Sequence, residues 1–280
     1  MSWAVVARKD FNDARRSRSL WALSAVFLFL AVLFAGLYTY IPELSGDAEE
    51  ISSIGLMAFL SSPVAIFVAV AALVLAYKSV AGETESGSGK LLLSLPNTRR
   101  DVLLGKIVGR TSVLAIPVVV GLLAMLAIVF ATNVVFDPLE YALFSVVTLL
   151  FVLVYVTLYV GISATTSSTS RAATLSVLAL VILEFAWDIV PIGVWIVISG
   201  FQFPDALLTG DVAAMPELVA FLANLPPGQA YLNAIGGVLS GSVSGSGPWY
   251  LSQGFSVVIL ALWAVVPALI GYRRYEAADL

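Results

Sequence analysis

The chain has 280 residues, of which 60% are hydrophobic and only 11% are charged, with a formal net charge of −4. Soluble domains typically carry about 25% charged residues, so this composition excludes an ordinary soluble globule. Cys and His are both absent from the sequence, which excludes disulfides, a thiol nucleophile and the usual zinc, haem and iron–sulfur sites.

The N-terminal segment, Met1–Ser19, mixes five basic residues with Asp10 and Asp13. It is too polar and too charged to be the short first region of a cleaved signal peptide, so we expect it to remain in the mature protein. Apolar residues recur among the charges, a pattern typical of an amphipathic helix that lies along a membrane surface. We predict an interfacial helix over residues 1–19 on the cytoplasmic side.

Six apolar runs follow, each long enough to cross a hydrocarbon layer of about 30 Å as a helix. We predict an all-α membrane protein in which residues 1–280 form a single transmembrane domain. The predicted spans are Leu20–Ile41, Gly55–Tyr77, Ile107–Asn133, Leu139–Ala164, Ala172–Ser199 and Ser252–Tyr272.

The distribution of charge predicts the orientation of these spans. With the N-terminus inside, all 14 Lys and Arg residues fall on the cytoplasmic side, whereas the outer segments carry only acidic residues. Basic residues beside spans are retained in the cytoplasm, so we expect both termini there and a multi-pass protein of the cell membrane. The pI of 4.8 fits a haloarchaeal-like protein from a high-salt organism, although ordinary acidic membrane proteins look the same.

Two connections are too long for simple turns. The cytoplasmic loop, 79–106, contains a leucine-rich patch broken by Pro96, which predicts a short interfacial helix, a turn and a re-entry into the third span. The outer segment, 200–251, contains two moderately apolar stretches, Ala213–Leu225 and Gln229–Leu239, separated by Pro226-Pro227-Gly228. Both are too short to span, and we predict two re-entrant half-helices before the last span.

Within the cytoplasmic loop, Gly89-Lys90 has the core of a phosphate-binding P-loop. The match fails because Thr84 stands where the first Gly is needed and Leu91 where a Ser or Thr must bind magnesium. We therefore do not expect nucleotide binding by this chain.

The same stretch resembles the first cytoplasmic loop of type-2 ABC permeases, the ABC-2 family of membrane subunits. That family has an acidic pair and a glycine, a leucine-rich stretch ending in Ser-x-Pro, a basic residue, and a Gly-Lys at the next span. The segment Ser86–Lys90 departs from the pattern, since many relatives have a bulkier and more acidic stretch there. The matching residues are Glu83, Glu85, Gly87, Leu91, Leu92, Leu93, Ser94, Pro96, Arg99, Gly105 and Lys106.

The resemblance implies a loop that docks on a separate ABC ATPase subunit and transmits its closure to the spans of an exporter. It also implies a second permease subunit, identical or a paralogue, and no catalytic residues, metal or cofactor in this chain, since the ATPase binds ATP and Mg. Lipid is the expected surrounding and nucleic acid is not an expected partner. The alternative is a loop helix that merely rests on the membrane surface. The coupling residues implied are Glu83, Glu85, Leu91, Leu92, Leu93, Ser94, Pro96 and Arg99.

Two acidic residues lie inside the fifth apolar run. Glu184 and Asp188 are four residues apart, which would put them on one helix face. Charges at membrane depth mark a functional site or a water-filled cavity by default, so both are intramembrane polar candidates. The alternative is that Pro191 and Gly193 break the helix there and leave both acids near the outer headgroups and water.

Two other functions stay open at this point. An intramembrane enzyme could use Glu184 and Asp188 as catalytic acids, but the chain offers no His or Cys partner. A stand-alone secondary transporter or channel without an ATPase would have interrupted helices, for which Pro63 and Pro117 are candidates. Matched repeats, which such transporters often show, are not evident in the sequence.

Overall fold

The structure is a computed structural model that describes residues 3–15, 18–40, 53–87, 98–131, 135–204, 215–239 and 248–277. The predicted leucine patch and its Ser94 and Pro96 lie outside the described residues. A π-helical turn, Ile182–Ala186, and a 3₁₀ turn, Trp249–Leu251, accompany the α-helices. The α-helices are α1 (Trp3–Arg15), α2 (Arg18–Tyr40), α3 (Ser53–Ala76), α4 (Ala81–Glu85), α5 (Arg99–Ala131), α6 (Pro138–Ala164), α7 (Thr169–Val181), α8 (Ile189–Ile198), α9 (Glu217–Ala223), α10 (Pro227–Leu239) and α11 (Gln253–Ala277).

Six helical segments in the described part of the chain are long and apolar enough to cross a membrane. They comprise α2, a segment from Ser53 to Glu85 that contains α3 and α4, α5, α6, α7 with the π-helical turn, and α11. The predicted all-α membrane protein with six spans is therefore confirmed.

The third span starts earlier than predicted, at Arg99 instead of Ile107. Thr98 and Asp101 explain the difference, because they form a reciprocal capping box. The Thr98 backbone N–H donates to Asp101 Oδ2 at 3.1 Å, and the Asp101 N–H donates to Thr98 Oγ1 at 3.1 Å. The pair satisfies backbone donors that are otherwise free at a helix start. The last part of the predicted cytoplasmic loop is thus helical.

The fifth span is not the continuous helix predicted over Ala172–Ser199. It is interrupted by the π-helical turn, and Trp187 and Asp188 separate that turn from α8. Pro191 lies in the first turn of α8, and because it has no N–H to donate to the carbonyl four residues earlier, it interrupts a helix on its N-terminal side, where Trp187 and Asp188 lie. Gly193 lies inside α8. The alternative of a broken helix near Pro191 thus agrees with the break one turn before it, whereas Gly193 does not interrupt α8.

The two predicted half-helices correspond to α9 and α10. The start predicted at Ala213 lies outside the described residues, and α9 begins at Glu217. Pro227 and Gly228 are not a separator as predicted but the first residues of α10, since proline is favoured at the first helical position. Helix α10 packs against α3, α6 and α11, so it lies beside the spans.

Helix α6 is at the centre of the bundle. It packs against α3, α5, α7, α10 and α11, and two-thirds of its span is buried. Small residues allow α11 to approach it closely: a Cβ on Gly271 would lie 2.7 Å from the Gly161 carbonyl oxygen. Phe151, Tyr155 and Tyr159 are fully buried along α6. This helix therefore holds the spans together.

Candidate functional site

The bundle has two ends of different charge. One end, which we call the basic end, is formed by α1, α4, the starts of α5 and α7, and the last turn of α11. The other, which we call the acidic end, contains the start of α6 and helices α9 and α10. Among the described residues, the coupling candidates Glu83, Glu85 and Arg99 lie at the basic end, and the two intramembrane acids lie nearer the acidic end.

A cluster of ion pairs links three helices at the basic end. Lys106 of α5 is only 2% exposed, and its Nζ lies 2.7 Å from Glu83 Oε1 of α4 and 3.9 Å from Asp10 Oδ1 of α1. Arg110 of α5 pairs with the same aspartate, with Nε 2.7 Å from Asp10 Oδ2. Removing one member of a buried pair leaves an uncompensated charge. The cluster therefore fixes the loop helix and the N-terminal helix to the third span.

Two glycines let α1 approach α5 closely enough for these contacts. Gly105 and Gly109 are four residues apart, the spacing at which small residues permit close helix packing in membranes. A Cβ on Gly105 would lie 2.6 Å from Val6 Cβ, and one on Gly109 would lie 3.0 Å from Asp10 Cβ. The faces of α1 differ accordingly, with Val6, Ala7 and Asp10 buried and Arg8 and Lys9 exposed.

The loop helix α4 is held at both ends. The buried Ser163 Oγ of α6 accepts hydrogen bonds of 3.1 Å from the backbone N–H groups of Val80 and Ala81. At the other end, Glu85 Oε2 accepts a hydrogen bond of 3.0 Å from the backbone N–H of Thr169, the first residue of α7. The helix therefore bridges the end of the fourth span and the start of the fifth. After it, Gly87 adopts a φ of 73°, which favours glycine.

Arg99, another predicted coupling residue, binds the end of α11. Its guanidinium donates to the Glu276 carbonyl oxygen at 2.7 Å and to the Tyr275 carbonyl oxygen. The guanidinium carbon also lies 5.6 Å from the centroid of the Tyr275 ring. Cationic groups at a helix C-terminus satisfy free carbonyls and interact favourably with the helix dipole. The structure thus gives Arg99 a role within the chain.

The described coupling candidates Glu83, Glu85 and Arg99 lie at the same end, but they bind different helices. Leu91, Leu92, Leu93, Ser94 and Pro96 lie outside the described residues. Sequence reasoning missed Asp10, Arg110 and Ser163. The Gly105-x-x-x-Gly109 spacing beside Lys106 and Arg110 could have pointed to the α1 contact. Nothing local in the sequence connects Ser163 with the start of α4, which is 82 residues away.

Nearer the acidic end, Glu184 lies against the start of α10. Tyr155 Oη donates a hydrogen bond to Glu184 Oε1. A Cβ on Gly228 would lie 2.6 Å from each carboxylate oxygen of Glu184, so only a glycine allows this approach. A helix start favours a negative charge because its first N–H groups are free and its dipole is positive there. Glu184 therefore fixes α10 to the interrupted fifth span.

Asp188 has a different environment. Its side chain is exposed and lines two adjoining cavities near the acidic end. Both acids lie on the wall of the smaller one, of about 140 Å³. The larger, of about 500 Å³, is lined by Asp188 but not by Glu184, and its polar wall includes Asn224 and Asn233. The two acids thus share a cavity, but Glu184 is fixed by protein contacts whereas Asp188 faces open space.

Two tryptophans support the turn between α9 and α10. The Trp187 indole N–H donates to the Leu222 carbonyl oxygen, and the Trp263 indole N–H donates to the Leu225 carbonyl oxygen, both at 2.9 Å. The Leu222 carbonyl also accepts the Leu225 N–H at 3.3 Å. Carbonyls just beyond the last turn of a helix are costly to leave unpaired in an apolar surrounding. The indoles therefore stabilise the turn where it faces the spans.

Known proteins resemble this chain over nearly its whole length. Residues 4–280 match the family described as "ABC-2 family transporter protein". A protein named "Probable ABC transporter permease protein NosY" from Stutzerimonas stutzeri is 31% identical over 272 residues, which cover 95% of this chain and 92% of that protein. One with the same name from Pseudomonas aeruginosa is 29% identical over 268 residues, covering 93% and 92%. The chain therefore belongs to the ABC-2 family of transporter proteins.

Proposed function

We propose that the chain is the membrane-spanning permease subunit of an ATP-driven exporter, and that its basic end docks a separate ATPase whose closure drives translocation. Members of its family are membrane subunits for transport and normally work with an ATPase subunit. In this proposal the ATPase binds ATP and Mg, and the permease has no catalytic residues of its own.

The observation that carries the proposal is the attachment of α4. This five-residue helix is bound to three different spans, through Ser163 on α6, Lys106 on α5 and Thr169 on α7. A helix that merely rested on the membrane surface would need no such contacts. A helix that receives a force from a partner must be attached to the elements it moves, since coupling depends on contiguous packed contacts.

The docking surface itself is proposed to be the leucine patch that follows α4. Leu91, Leu92, Leu93, Ser94 and Pro96 lie between two structured and charged ends, with Glu85 before them and Arg99 after them. The apolar patch supplies contact area, and the flanking charges select the partner through electrostatic complementarity.

The charge distribution supports a cytoplasmic basic end in the cell membrane. Basic residues next to spans are retained in the cytoplasm, where an ATPase has access to ATP. A second permease subunit, identical or a paralogue, completes the translocation path in this proposal. The first and fifth spans are the least covered by the rest of the chain, with 17% of each buried, and so offer apolar surface for that subunit.

Co-purification tests the proposal. Tagged protein is extracted gently from its native membranes, and an ATPase is expected to co-purify with the wild type but not with the double variant Leu92→Asp, Leu93→Asp. The matched control is Ser242→Asp with Ser244→Asp, which adds the same charge to the segment predicted on the outer side of the membrane. This variant should retain the ATPase. If no ATPase co-purifies with folded wild type, the proposal is wrong and the stand-alone transporter replaces it.

A further inference from the structure

We propose that Ser163, Tyr155 and Glu184 are positioning residues that make α6 a rigid connection, through which displacement of the loop helix α4 moves the half-helix α10. The inference rests on the proposed function, because the ATPase supplies the displacement. It goes further by naming the route from the docking end to the far end of the bundle.

The first part of the route is the contact between α4 and α6. Ser163 is fully buried, and its single oxygen accepts two backbone N–H groups from the start of α4. A helix start leaves N–H groups unpaired, so the serine serves as their cap although it belongs to another span. Any shift of α4 along the membrane normal must therefore either break both hydrogen bonds or move the end of α6.

The second part is the contact between α6 and α10. Tyr231 of α10 stacks on Phe151 with ring centroids 4.4 Å apart, and its hydroxyl shares a hydrogen bond of 3.0 Å with Thr148. Tyr155 binds Glu184, whose carboxylate lies against Gly228 at the start of the same half-helix. Helix α10 is thus held by α6 both directly and through the fifth span.

The residues that make these contacts follow one face of α6. Thr148, Tyr155, Tyr159 and Ser163 are separated by seven, four and four positions, which place them along a single helix stripe. At 1.5 Å per residue the stripe is about 22 Å long. Tyr159, between the two contact regions, is fully buried, and its hydroxyl has no hydrogen-bond partner among the described residues. A buried unpaired hydroxyl is costly to keep, which is consistent with a position that gains a partner in a second arrangement.

The interruption of the fifth span gives α10 a neighbour that can adjust. Helices that carry π-helical turns often do so at functional sites, and here the turn contains Glu184. Helix α6 is the rigid element because it packs against five other helices. The interrupted fifth span and the half-helices are the elements that can shift relative to it. Movement is therefore expected at α10 and not within α6.

A spin label on α10 tests the inference. Because the chain has no cysteine, Gly236→Cys gives a single labelling site, and a Cβ there meets no atom within 4 Å. The labelled permease is purified with its ATPase. The electron paramagnetic resonance spectrum of the label is then compared between protein without nucleotide and protein trapped with ATP and vanadate. We expect trapping to change the spectrum of the otherwise wild-type protein. Ser163→Ala and Glu184→Gln should each reduce that change by about fivefold or more, the lower range of site-to-site coupling, while retaining the ATPase.

Matched controls separate transmission from general loosening. Ser145→Ala removes a hydroxyl whose hydrogen bond, in the part of the chain that the structure describes, lies within α6, and Asp188→Asn neutralises the exposed acid. Both variants should keep the full change. An unchanged response in Ser163→Ala and Glu184→Gln, or no response in the parent protein, overturns the inference while the proposed function stands.

The isolated permease provides a measurement that does not need the ATPase. Ser163→Ala should increase amide hydrogen exchange in α10 as well as in α4, although the serine contacts only α4 of the two. Exchange that rises in α4 alone contradicts the route along α6. If no ATPase is found at all, the proposed function fails, and this measurement still decides whether α4 and α10 are coupled.

Discussion

Lys106 and Glu83 form an ion pair of 2.7 Å across the junction between the third span and the loop helix, and the lysine is almost fully buried. The same lysine faces Asp10 of the N-terminal helix. The loop helix, the N-terminal helix and the third span are therefore joined at one side chain, and they are expected to move as a unit.

Lys106→Met should strongly destabilise the protein, because it removes the buried cation that faces both Glu83 and Asp10. Breaking a buried pair from one side costs about 3 kcal/mol or more. Thermal unfolding in detergent, followed by tryptophan fluorescence, measures the loss. Adding Glu83→Gln to Lys106→Met should recover part of it. Arg100→Met, at an exposed position, serves as the control. Equal melting temperatures for Lys106→Met and Arg100→Met would contradict a stabilising role for the buried ion pair.

Gly105→Ala should detach α1 from α5. The added Cβ would lie 2.6 Å from Val6 Cβ and 2.9 Å from the Trp3 carbonyl oxygen, so the helix must shift away. Trypsin cleavage after Arg8 and Lys9 reports the detachment, and cleavage should become faster. Gly36→Ala is the matched control, since a Cβ there meets no atom within 4 Å. Unchanged cleavage in Gly105→Ala would show that the close packing is not needed.

Trp187→Phe and Trp263→Phe should each loosen the turn between α9 and α10. Each change removes one indole N–H donor to a carbonyl of this turn, at a cost of about 1 to 3 kcal/mol where the carbonyl is left without a partner; the Leu222 carbonyl keeps the Leu225 N–H at 3.3 Å, so the smaller loss is expected for Trp187→Phe. Amide exchange in residues 222–230 is expected to increase, together with a lower melting temperature. Trp21→Phe changes a largely exposed tryptophan and should leave both measurements unaltered. Equal effects in all three variants would contradict a specific role for the two hydrogen bonds.

Arg99→Ala should fray the last turn of α11, because the guanidinium satisfies two of its carbonyl oxygens. Faster amide exchange is expected in residues 273–277, and Arg99→Lys should restore little of the protection, since an ammonium lacks the planar fork that reaches both carbonyls. Arg100→Ala provides the neighbouring control. Protection that survives in Arg99→Ala would show that these hydrogen bonds do not hold the last turn of α11.

The spans could be predicted from the sequence because lipid requires long apolar helices and leaves few alternatives. The ends of α3 and α6 are within two residues of the predictions for the same reason. The start of α5 was missed although Thr98 and Asp101 carried a local signal, the capping box. For the fifth span, Pro191 and Gly193 supported only the alternative of a broken helix, and the π-helical turn at Ile182–Ala186 has no comparable local signal in the sequence.

The contacts of the candidate site depended on tertiary structure. Glu184 was singled out as a charge in an apolar run, but its partners, Tyr155 and Gly228, come from two other helices. Ser163 looks like one more small polar residue near a span end, and its role appears only when α4 lies across it. Local patterns therefore indicated which residues are unusual, whereas their partners required the packing of the whole bundle.

The central claim is that the ATPase docks at the loop between the second and third spans, and photo-crosslinking tests it most directly. A photoreactive benzoyl-phenylalanine replaces Leu93 in one variant and Val243, in the opposite loop, in another. Irradiation of native membranes is predicted to give an adduct between the permease and an ATPase at position 93 and none at position 243. An adduct from position 243, or none from position 93 although the ATPase co-purifies with that variant, would contradict the account.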